Sequence, residues 1–252
     1  MFGIRLLTFM QAIRYEPIRT TFFECHTVCS EYFRNSFRVV ADQVAAEARR
    51  LGLTHIVELG AGTAPITELI AAGESCRGLR LSPCDAEPET HQERYRQLAE
   101  RFGDQVTPVY EPVDYTQPRD WGPSALLILT GTFPAVPFER RAAAIQALSA
   151  GSERVMIWEF VRKTPLSMAF ASCTFFTALL TPLFYFTRPG RLRRLLWCWL
   201  VPIVPVMCAV DGVSWCLHCW TDDQWRRESA EHAPTSRPAT IRSWINSQLV
   251  EW

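Results

Sequence analysis

Hydrophobic and polar positions change rhythm several times along this chain, and each change predicts an element. From Glu16 to about Leu51 apolar residues return at helical spacing, and "FRVVADQVAAEARRLG" stops on Gly52, a natural C-terminal cap. "THIVELG" is a short continuous apolar run, the mark of a strand buried on both faces. "TAPITELIAAG" returns to the helical period and tolerates Pro65 in its first turn. "GLRLSPCDAEPE" predicts a second strand ending near Asp85, "ETHQERYRQLAERFG" a polar-faced helix, and "VTPVYEPVD" a third strand ending near Asp114. "SALLILTGTF", "PFERRAAAIQALSAG" and "ERVMIWEF" then give a fourth strand, a helix and a fifth strand. Strands alternating with helices call for a doubly wound, mostly parallel α/β sheet covered on both faces.

Beyond the fifth strand the rhythm breaks. "TPLSMAFASCTFFTALLTPLFYFT" is uncharged for the length of a transmembrane helix, and "LLWCWLVPIVPVMCAV" is a shorter apolar run interrupted by Pro202 and Pro205. If both crossed a bilayer, Arg188, Arg191, Arg193 and Arg194 would lie on the far side, against the positive-inside tendency. The expectation is therefore a helical hairpin that covers the strand ends as an apolar lid or rests in the membrane interface, with Trp197 and Trp199 at headgroup level. "TDDQWRRESAEH" then predicts a helix capped by Thr221, and "APTSRPATIRSWINSQ" a last strand. The chain reads as one domain: a helical segment over 1–52, an α/β core over 53–161, an apolar hairpin over 162–210 and a sheet-completing segment over 211–252.

Composition narrows the partners. Twenty-six basic residues balance twenty-six acidic ones, so no charge excess draws the protein to nucleic acid. Nine scattered cysteines form no even-numbered disulfide framework, and Met1 to Met10 is too short for a secretory signal. Both point to a reducing cytoplasm, with contact to the inner face of the membrane at most peripheral. Cys216-x-x-Cys219 together with Cys25, His26 and Cys29 has the look of a zinc set, but helical spacing explains Cys25-x3-Cys29 equally well. These thiols read as small buried apolar groups, and no metal is expected.

The chemistry concentrates in "IVELGAGTAPITELI". Gly60 and Gly62 follow the first strand, where a backbone without Cβ atoms can approach a ligand at the carboxyl edge of a doubly wound sheet. A dinucleotide fingerprint would need glycine where Pro65 stands, and Glu58 would repel a pyrophosphate while suiting an ammonium group. Asp85 lies at the distance expected of a ribose-binding acid, and Asp114 can accept from an adenine amino group.

"VELGAGTA", "DAEP" and "EPVDYT" resemble the motifs of class I S-adenosylmethionine-dependent methyltransferases. The resemblance implies a Rossmann-like methyltransferase that uses S-adenosylmethionine, with Glu58, Leu59, Gly60, Ala61 and Gly62 around its methionine part. Asp85 and Ala86 would then hold the ribose, with Asp114, Tyr115 and Thr130 completing the cofactor site. "DGVSWCLHCWTDDQW" is similar to a D-G-x-x-S-x-L-R-x-Y-T segment of a bacterial branch of these enzymes, but "TGTFPAVP" replaces that branch's histidine-containing loop. The candidates for a base are Glu159 and Asp211, whereas His218 reads as a packed residue. The expected acceptor is a small or lipid-like apolar molecule. The competing readings are a catalytically silent membrane-associated scaffold and an NAD-dependent oxidoreductase.

Overall fold

The structure, a computed structural model, describes residues 15–73, 78–233, 239–243 and 247–252, without the side chains of 26, 27 and 29–34. The described residues fall into two compact units, those up to Arg34 joining Val161–Cys219 in one, and Asn35–Phe160 joining Trp220–Trp252 in the other. The long helix α1 (Glu16–Arg50) contributes to both.

The second unit is built on a six-stranded sheet: β1 (His55–Leu59), β2 (Arg80–Cys84), β3 (Ala125–Thr130), β4 (Arg154–Glu159), β5 (Thr240–Ser243) and β6 (Gln248–Glu251). Their order across the sheet is β2-β1-β3-β4-β6-β5. β1 pairs in parallel with β2 and β3, and β3 with β4, while β6 runs antiparallel to both neighbours. Every residue of β1, β3 and β4 is buried, as their largely apolar runs suit strands covered on both faces. One face packs Val40, Val44 and Ala48 of α1, Ile66 and Ile70 of α2 (Pro65–Ala71), and Tyr95 and Leu98 of α3 (Gln92–Phe102). The other packs Ala144, Ile145 and Leu148 of α4 (Arg141–Ala150) with Trp220, Trp225 and Trp252.

Two expectations need correction. "VTPVYEPVD" is not a full strand: Val106 bridges Leu81, and only Thr107 and Val109 donate to the carbonyls of Leu81 and Pro83. Pro108 and Pro112 lack the N–H groups a ladder needs, so the pairing never becomes regular. The C-terminal segment supplies two strands instead of one, and the second, β6, inserts between β4 and β5.

The other unit contains α5 (Pro165–Ser172), α6 (Thr174–Phe184), α7 (Arg191–Leu195) continuing as a π-turn to Leu200, and α8 (Ile203–His218). The hairpin therefore runs on beyond the expected limit at residue 210. Phe22 and Cys25 of α1 pack with Ala178, Cys198, Val204, Met207 and Cys208. Helix α9 (Asp222–His232) returns to the sheet unit, and Thr221 opens it with a full capping box to Gln224.

Candidate functional site

Because β1 lies between β2 and β3 while the chain continues to opposite sides, its carboxyl end is the switch point where such sheets take ligands. The chain there turns through three left-handed residues, Gly60 (φ +61°), Gly62 (φ +52°) and Ala64 (φ 56°). Ala61 N–H donates to the Cys84 carbonyl at 3.0 Å and ties the turn to β2. A Cβ on Gly60 would overlap the Thr132 side chain, whereas one on Gly62 would meet open space. Gly60 is thus needed for packing as well as for its φ, and Gly62 for its φ alone.

Glu58 does not face outward from this turn. It is buried, and its two oxygens accept from the amides of Ile66 (3.3 Å) and Thr67 (2.7 Å), the first free donors of α2. Burial pushes its carboxyl up to about 7 against the pull of those hydrogen bonds. In this position Glu58 caps the N-terminus of α2, whose partial positive charge favours a carboxylate.

Asp85, just past β2, reaches back to the turn: its Oδ2 accepts from Gly62 N–H at 2.9 Å and its Oδ1 from Glu87 N–H at 3.1 Å. Beside it opens a cavity of about 320 Å³ lined by Ala86, Val113, Asp114, Tyr115, Val136 and Arg140, among others. Asp114 stands at its rim, accepting from the Thr116 amide (2.9 Å), the Thr116 hydroxyl (2.6 Å) and Arg140 (2.9 Å). The Thr116 hydrogen bond, with help from Arg140, holds its carboxyl below the usual range. Burial pushes the Tyr115 phenol up to about 12, so it stays a neutral donor.

Ala86, Asp114 and Tyr115 therefore meet in one cavity, and Asp85 connects that cavity to Gly62. Glu58, Leu59, Gly60, Ala61, Gly62 and Thr130 are not among its lining residues. Thr130 ends β3, and its hydroxyl, like that of Thr132, is buried without a hydrogen-bond partner. Thr132, Thr116 and Arg140 escaped the sequence reading. The T-G-T following an apolar strand is the one signal that could have marked Thr132.

The base candidates lie apart. Glu159 ends β4 fully buried, with Oε1 accepting from Phe133 N–H at 3.2 Å and Oε2 unpartnered, and it does not line the cavity. Burial pushes its carboxyl up to about 8, so it is protonated at neutral pH. Asp211 is buried in α8 of the helical unit, as is His218, whose Nδ1 lies 2.8 Å from the Ser214 carbonyl. Of the thiols weighed as metal ligands, Cys25 points to the Ala178 carbonyl, Cys216 to the Ser167 hydroxyl and Cys219 to the Val161 carbonyl. The side chains of His26 and Cys29 lie outside the described residues, as does the segment Met1 to Met10.

No protein-family model matches the sequence, and no curated protein matches it. Solved structures do match the fold. An O-methyltransferase family protein from Burkholderia thailandensis aligns with a TM-score of 0.51 at 11% identity, over 88% of this chain and 58% of that one. A candidate O-methyltransferase from Nostoc punctiforme gives 0.53 at 12% identity, over 88% and 57%. The methyltransferase domain of bacterial CtHen1 gives 0.50 at 9% identity, over 84% and 95%. The chain thus spans less than two thirds of the first two proteins. At such identities the likeness concerns architecture, and that architecture is the class I methyltransferase fold.

Proposed function

We propose that the protein is an S-adenosylmethionine-dependent methyltransferase acting in the cytoplasm on a small or lipid-like apolar acceptor. The observation that carries this reading is Asp85, a carboxylate joined to the glycine turn by Gly62 N–H and continuous through Ala86 with the cavity. That placement suits a ribose, whose hydroxyls donate to a carboxylate. Asp114 and Tyr115 suit an adenine at the cavity rim. The open side of Gly62 leaves room for the methionine part, and the orphaned hydroxyls of Thr130 and Thr132 offer it polar partners. Glu58 argues against a dinucleotide, because its carboxylate already occupies the Ile66 and Thr67 amides that a pyrophosphate would use.

When bound, the cofactor supplies an activated methyl group whose bond to sulfur breaks as the bond to the acceptor forms, leaving a neutral thioether. The chain's own share is to hold donor and acceptor in line, which carries most of the rate in such a transfer. Glu159 and Asp211 remain candidate bases only for an acceptor that must lose a proton, and Glu159 would need to ionise first. The seven described free thiols agree with a reducing cytoplasm. In this reading the sheet unit holds the methyl donor.

The test is ligand-dependent thermal stabilisation of the full chain. S-adenosylmethionine and S-adenosylhomocysteine should raise the melting temperature, by the linkage that rewards native-state binding, and NAD should not. Asp85→Asn keeps an acceptor for Gly62 N–H but loses the charge, and should weaken the adenosyl ligands by tenfold or more. Stabilisation by NAD, or by none of the three, would refute the assignment, the latter favouring a scaffold without turnover.

A further inference from the structure

The helical unit exposes an apolar surface that a water-soluble helical bundle would cover with polar side chains. The outward face of α5 and α6 carries Leu166, Phe170, Phe176, Leu180 and Phe184, while the packed face carries Ser167, Ala171, Ala178 and Thr181. Helix α8 also turns Ile203, Val206, Val210 and Leu217 outward, while it buries Asp211 and His218 along with Val204, Met207 and Cys208. A helix apolar all round belongs in a large core or in lipid, and here apolar residues occupy the exposed side as well as the packed one. The contacts between the helices use small residues, as Gly212 lies against the Ala171 carbonyl, the mode by which helices pack when water does not drive them together.

The charge distribution names the partner. Between Val161 and Val210 there are six cations (Arg162, Lys163, Arg188, Arg191, Arg193 and Arg194) and no acidic residue, although the whole chain is neutral. Arg188 lies over the Tyr185 ring and Arg191 over the Phe186 ring, pairing cation with aromatic as at a headgroup boundary. Arg194 is buried against the carbonyls of Tyr185, Arg188 and Pro189, and with Arg193 it pairs to Glu24.

Geometry argues against a span. The helices α5 and α6 together cover 20 residues, but the following pair, Arg191–Leu200 and Ile203–His218, bends by 70°. At 1.5 Å per residue the 16 residues of α8 reach about 24 Å, short of the ~30 Å hydrocarbon core. Cations also stand at both ends of the hairpin, Arg162 and Lys163 at its base and Arg188 and Arg191 at its tip, because Ser167 meets Cys216 where the hairpin begins and ends.

We propose that this unit is a monotopic membrane seat, lying in one leaflet of an anionic bilayer with its outward leucines and phenylalanines among the acyl chains. The proposal goes beyond the methyl-transfer reading and can fail without it.

The test uses the full chain with vesicles of phosphatidylcholine alone and of phosphatidylcholine mixed with phosphatidylglycerol. The protein should cosediment with vesicles, more strongly with the mixed ones. The double variant Phe176→Glu/Leu180→Glu alters two side chains that are 61% and 46% exposed, so its melting temperature should stay unchanged. Its vesicle partition should fall by about tenfold or more, since each carboxylate resists hydrocarbon. In a Cys173→Ser background, which removes an exposed thiol, Leu192→Cys at the tip, where Leu192 is 80% exposed, should be labelled at that position by an impermeant maleimide added outside the vesicles. Shielding of that cysteine would overturn the in-plane seat in favour of a span. Failure of the parent protein to bind either vesicle would overturn the proposal, and a dimer that the double variant dissociates would point to contact between copies instead.

Discussion

Replacing Glu159 by Gln should make the protein's stability less dependent on pH. The Glu159 carboxyl is fully buried at the end of β4, and burial lifts it from an ordinary 4.5 to about 8, opposed by the Phe133 amide and the Arg141 charge. The folded state therefore holds this proton more tightly than the unfolded chain does. Its stabilising contribution is complete below pH 4.5 and disappears as pH rises to about 8. Each pH unit between those values is worth about 1.4 kcal/mol, so the whole window amounts to roughly 5 kcal/mol. Glutamine keeps the shape and can still accept from Phe133 N–H, but it never ionises. Urea unfolding of both proteins at pH 5 and pH 8.5 isolates the effect, because Glu58, raised to about 7 by the same cause, is present in both and cancels. The parent should lose roughly 4 kcal/mol relative to the variant between those pH values, because the assay spans about three units of that window. Parallel pH profiles would show that Glu159 is not buried as a neutral acid, and the reasoning would fail.

The glycine turn and the last helix give two more tests. Gly62→Ala should cost about 1–2 kcal/mol from its left-handed backbone alone, and Gly60→Ala about 1–3 kcal/mol more for displacing Thr132. Adding Thr132→Ala should recover part of the second cost and none of the first; denaturation midpoints that do not separate the two glycines would contradict the contact. Thr221→Ala removes a capping box and should cost about 1 kcal/mol, read as a lower thermal midpoint, while a neutral result would mean that α9 is fixed by Trp225 packing instead.

The buried strands were legible because apolar residues dominate both faces, with polar ones only at or near the strand ends. The runs at 55–59, 125–130 and 154–159 could hardly be anything else. The segment after Phe102 misled because valine and tyrosine argue for a strand while Pro108 and Pro112 withhold the donors, and periodicity cannot weigh the two. The β5–β6 pair was half hidden, since the exposed β5 carries little apolar signal. At the site, the identity of the acids was readable but their partners were not. Glu58 turning inward to α2, Asp85 reaching Gly62 and Arg140 closing on Asp114 depend on side-chain directions across segments 8 to 26 positions apart. The apolar runs announced helices; only coordinates could say that their greasy faces point outward.

The position of β6 carries a consequence for biogenesis. It inserts beside β4, although nearly ninety residues and the whole apolar hairpin separate them in the chain. During synthesis the edge of β4 away from β3 must wait with its ladder groups unpaired until residues 248–251 have been made. Over that interval the nascent chain shows both a bare strand and a greasy helix pair, the two surfaces that aggregate most readily. Loss of Gln248–Glu251 would leave that edge exposed, so this short strand closes the sheet although none of its residues lines the cavity.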